Sequence, residues 1–120
     1  MSDITYLKDS TTGSNAQITA TLAASAGQLD YLSGFAVNGL GATGASYANI
    51  IVSGLSGGSL VWTIMVPVGT GVPCNPILVT LASPIPASAV NTAIIVTVSA
   101  FGAGNLLSSV MAWGYSVPSS

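Results

Sequence analysis

The residues able to do chemistry are few, and their types decide what chemistry is open to them. General acid–base catalysis draws on His, Glu, Asp, Lys or Cys. This 120-residue chain has no His and no Glu; its charged side chains are Asp3, Lys8, Asp9 and Asp30, and its single cysteine is Cys74. A Ser–His–Asp or Cys–His constellation needs a histidine beside its nucleophile, and the chain has none. Zinc requires clusters of Cys and His, which are absent. Asp3, Asp9 and Asp30 could in principle meet a calcium ion with backbone carbonyls, but their spacing follows no loop motif. Gly102-Ala103-Gly104 follows a strand-like run, yet no lysine comes after it and no helical pattern opens there. It reads as a β-turn rather than a phosphate loop. Cys74, between Pro73 and Asn75, has no nearby group to activate it and reads as a small side chain in a loop. The chain is therefore expected to be non-enzymatic, with no catalytic, cofactor-binding or metal site.

What the chain lacks in reactive groups it also lacks in charge. Charged residues make up 3% of it, against about 25% in ordinary soluble proteins. From Tyr31 to Ser120 no side chain is formally charged. Either the surface is neutral but polar, or neighbouring chains cover much of it, as in the charge-depleted cores of protein interfaces. A mean hydropathy of +0.74 favours the second explanation. One lysine and no arginine cannot neutralise a phosphate backbone, so nucleic acid is excluded as a partner. No uninterrupted apolar run reaches the roughly 18 residues of a membrane-crossing helix. The start, Met1 to Thr5, lacks the basic and then apolar segments of a secretion signal, so synthesis in a cytoplasm is expected.

At 11.8 kDa the folded chain should expose about 5,900 Å² of the roughly 17,000 Å² of its unfolded form, enough for one core. Residues 1–16 hold three of the four charges and a polar run, and are expected to be an N-terminal arm; residues 17–120 form a single domain. From Gln17 the hydrophobic period is two. Ile18, Ala20 and Leu22 alternate with polar or small residues; Tyr31, Ser33, Phe35 and Val37 read as one face of the next strand. Tyr47–Ser53 and Leu60–Val66 flank a glycine-rich hairpin turn at Gly57-Gly58. The second of these is apolar on both faces, with Leu60, Trp62, Ile64 and Val66 on one and Val61 and Met65 on the other, which implies cover on two sides. Ile77, Val79 and Leu81 make another strand, stopped by Pro84-Ile85-Pro86. Ile94–Val98 and Met111–Val117 complete the set. Seven strands, or eight with Ile4–Leu7, predict an all-β fold: an antiparallel β-sandwich, jelly-roll-like.

The stretches Pro84-Ile85-Pro86-Ala87-Ser88, Asn91-Thr92-Ala93-Ile94 and Phe101-Gly102-Ala103-Gly104-Asn105, with the Gly57-Gly58 hairpin before an apolar strand, resemble small virion structural proteins of tailed bacteriophages. The resemblance covers residues 50–117 and carries no catalytic motif. It implies a place on the capsid surface as a decoration or cement protein, bound at capsomer joints, with the capsid protein as partner and self-association as a homotrimer. Ile4, Tyr6 and Leu7 on the arm, with Val61 and Met65, are the expected assembly contacts. Two other readings stay open. One is a glycan-binding or fibre-tip module using Trp62, Trp113 and Tyr115, although the alternation of these aromatics favours core or interface positions. The other is a membrane-associated β-barrel oligomer, against which both strand faces are equally apolar, whereas a lumen should be polar.

Overall fold

The computed structural model describes residues 4–118. They form eight strands: β1 (Thr5–Gly13), β2 (Ile18–Leu22), β3 (Gln28–Gly39), β4 (Ser46–Ser53), β5 (Leu60–Val66), β6 (Ile77–Pro86), β7 (Ile94–Val98) and β8 (Ser108–Pro118). Two four-stranded antiparallel sheets result, sheet A in the order β1-β8-β3-β6 and sheet B in the order β2-β7-β4-β5. Only β4 and β5 are neighbours both in sequence and in a sheet. Every other connection crosses between sheets, which is the winding of an eight-stranded jelly roll.

Strict alternation places the core. Ile18, Ala20 and Leu22 of β2, Ile50 and Val52 of β4, Ile64 and Val66 of β5 and the Ile94, Val96, Val98 series of β7 are buried from sheet B. Sheet A answers with Leu32, Phe35, Val37, Val110 and Ala112. Phe35 meets the half-buried Trp62 edge to face, with centroids 4.9 Å apart and planes at 69°. The space between the sheets is thus filled by apolar side chains. Each such branched or aromatic residue contributes about 1.5–3 kcal/mol by leaving water.

Three expectations need correction. Residues 5–13 of the expected arm are β1, an edge strand laddered to β8 from Thr5↔Ser116 to Gly13↔Ser108; residues 1–3 lie outside the described chain. The polar run hides a strand because its inward positions are held by hydrogen bonds rather than apolar packing. Thr11 Oγ1 donates to Thr19 O at 2.5 Å, and the Thr21 amide donates to Asp9 Oδ2 at 2.8 Å. Secondly, Tyr31 and Ser33 do not share a face with Phe35 and Val37. The register breaks between Leu32 and Gly34, and one inserted residue reverses every side chain beyond it. Thirdly, β6 runs through Pro84 to Pro86. β3 is its only neighbour in the sheet, so the missing amide hydrogens can sit at the unpaired edge.

Candidate assembly surfaces

The broad outer face of sheet A is built by cross-strand rows. Tyr6, Tyr115 and Tyr31 stand side by side on β1, β8 and β3, with Pro86 completing the row on β6. Tyr31 and Tyr115 stack at 5.0 Å with planes 13° apart. In the next row Trp113 lies across Gly34, where a Cβ would come within 2.6 Å of the indole and 2.5 Å of the Val79 carbonyl. Beyond it Ser10, Met111, Ala36 and Leu78 line a shallow, mainly apolar groove of about 420 Å³. Met111 and Leu78 are exposed there.

The outer face of sheet B carries a second apolar set. Tyr47 pairs with Met65 and Ile51 with Val61 across β4 and β5, and all four are exposed. The sequence places Val61 and Met65 opposite the core side of β5, and there they stand, 61% and 67% exposed.

The five expected contact residues do not form one surface. Ile4 and Tyr6 are exposed at the β1 edge of sheet A. Val61 and Met65 sit on the outer face of sheet B, which looks away from sheet A, on the strand farthest from β2. Leu7 is half-buried: it pairs with Gly114 on the inward side of β1 and packs against the core.

The ends of the sandwich differ. At the end holding the β1–β2, β3–β4, β5–β6 and β7–β8 loops, buried Asn105 is the hub. Its Nδ2 donates to Leu40 O (2.7 Å) and Leu107 O (3.0 Å), and its Oδ1 accepts from the Asn15 amide (2.9 Å). Asn15, at φ 45°, in turn accepts from the Gly102 amide through Oδ1. The sequence shows Asn105 only as the end of a turn. Nothing but its glycine neighbours marks it, because two of its three partners come from distant loops. Cys74, in the β5–β6 loop, is buried, and burial pushes its thiol above the usual range.

At the opposite end Asp30 is 1% exposed on the inward side of β3, across from Ser116. Neither carboxylate oxygen has a hydrogen-bond partner among the described residues, nor has Gln28 Oε1 two positions along the strand. Desolvation raises the Asp30 carboxyl above its ordinary value. No group of three or more His, Cys, Asp and Glu gathers among the described residues, and no helix there is long and apolar enough to cross a membrane. Among the described residues the charges left to the surface, Lys8 and the half-buried Asp9, are neighbours on β1. Comparison with known protein families, curated proteins and solved structures finds no match.

Proposed function

We propose that this chain is a non-enzymatic structural protein of a tailed-phage virion, a decoration or cement module that binds the capsid protein at capsomer joints. One observation carries the reading: both broad faces of the sandwich expose Tyr, Met, Leu, Val and Ile, while among the described residues the exposed charge is confined to β1. Apolar patches on a folded domain mark contact with other molecules. The jelly roll adds an associational argument, since that architecture recurs in viral shells and in lectins. Binding across joints would stabilise a shell by mass action, because the joined state binds the module and the opened one does not. The test is to mix the purified chain with undecorated tailed-phage heads and pellet them. Saturable co-sedimentation and a higher rupture temperature are expected; heads that pellet without the chain would reject the proposal.

The Tyr31–Tyr115 stack beside Trp113 favours a second reading, a glycan-binding face on sheet A. Flat aromatics on an open sheet suit the apolar faces of sugar rings. Titrating oligosaccharides against tryptophan fluorescence separates the two: saturable change supports the glycan site, and its absence removes it.

A further inference from the structure

A sandwich of two open sheets has four edges, and here they are guarded unequally. The β1 edge carries Lys8 and Asp9. The β2 edge is five residues long, and the Thr11 and Asp9 bonds tie it to β1, closing that flank. On the other flank β5 and β6 are each paired on one side only; Pro84 and Pro86 guard part of the β6 edge, while β5 has no charged residue. Leu60 and Trp62 of β5 and Ile77, Val79 and Leu81 of β6 are left half-buried along it. β5 also has no glycine or proline in its seven residues. Unprotected edges of this kind are templates for another strand.

The sequence of β5 says which strand. We propose that β5 pairs antiparallel with β5 of a second copy, about a two-fold axis through Thr63. In that register Val61 meets Met65 of the second copy on the outer face, while Trp62 meets Ile64 and Leu60 meets Val66 on the inner face. All seven residues are paired, and each apolar side chain opposes an apolar one. Centring on Trp62 instead leaves Met65 and Val66 without partners, and a register offset by one residue sets inward side chains against outward ones. An axis perpendicular to the sheet carries sheet A of one copy alongside sheet A of the other, so the β6 flanks close together, as an isologous contact requires. The molecule is 22 × 21 Å across its short axes, and at about 3.4 Å per residue the seven-residue β5 runs about 24 Å. The pair would therefore cover about 1,000 Å² in total, the size that a specific interface has to reach. This two-fold pair takes the place of the trimer expected from sequence, and it does not depend on a shell partner.

Sedimentation equilibrium of the full chain tests it. The unmodified chain should be a dimer. Thr63→Lys and Thr63→Glu, at an exposed position, should each weaken association by about 100-fold through apposed like charges, and an equal mixture of the two should pair again. Met111→Lys, on the outer face of sheet A, should remain dimeric. Circular dichroism melts verify that each variant is folded. A monomer or trimer at about 100 µM chain, well above the Kd of a specific pair, overturns the proposal. So does a dimer that survives Thr63→Lys, or a Lys/Glu mixture that stays apart. Failure to pellet with phage heads bears on the shell reading alone.

Discussion

Asn105 and Asp30 are both buried polar residues, and they have opposite consequences. Asn105 satisfies three backbone groups from three loops, so removing its side chain strands all of them. We expect Asn105→Ala to cost about 3 kcal/mol in urea unfolding, close to the sum of three lost bonds. A loss below about 0.5 kcal/mol, ordinary for a surface site, would show the hub to be ornamental. Asp30 finds no hydrogen-bond partner for either carboxylate oxygen among the described residues, and desolvation raises its carboxyl. The folded chain therefore holds this proton more tightly than the unfolded chain does. Its contribution to stability is complete below the unfolded value, about pH 4, and is lost as the pH climbs through the raised folded value. Asp30→Asn keeps the shape, supplies donors and cannot ionise. It should stabilise the chain by about 1–2 kcal/mol above the raised folded value and flatten the fall in stability that begins above about pH 4. Thermal melts across that range decide it; an unchanged profile would mean that another group titrates.

Among the strands, β5 has its inward side chains deep in the core at one end and half-buried at the other. Trp62 meets Phe35 edge to face, and Trp62→Ala should cost about 3 kcal/mol, the lower end of the usual range for a core aromatic because the ring is partly open to the flank. Loss of under 1 kcal/mol by chemical denaturation would be at odds with that contact. Strands of this kind were legible from sequence: Leu60–Val66 has the same bounds in the structure, and the Ile18, Ala20, Leu22 and Ile94, Val96, Val98 alternations face inward as read. β1 was not, since Asp9 and Thr11 satisfy inward positions with bonds to β2 that no local pattern announces. Nor was the face reversal in β3, because a bulge at Ser33 is set by pairing with β6 and β8 and not by the residue itself. Of the expected contact residues, Val61 and Met65 were legible as the non-core side of an apolar strand. The inward face of Leu7 was not legible because it depends on β8, and the aromatic row on sheet A emerges only when β1, β8 and β3 are laid side by side.

The molecule as a whole exposes 6113 Å², near the roughly 5,900 Å² expected of a compact chain of this mass. Its apolar exterior thus reflects which residues face outward rather than loose packing. With so little charge to screen, any association through these surfaces should resist salt. Between about 0.05 and 1 M NaCl the apparent Kd should change less than about threefold; dissociation at high salt would point to ion pairs at the contact. The jelly-roll winding has a further effect, on the order of events in synthesis. β1 is made first, yet its ladder partner in sheet A is β8, the last strand. At about 5–20 residues per second, β1 waits roughly 5–20 s on the ribosome for that partner. During that interval its backbone is unmatched, and the Lys8–Asp9 pair that later guards the finished edge is the nascent strand's protection against pairing with the wrong neighbour.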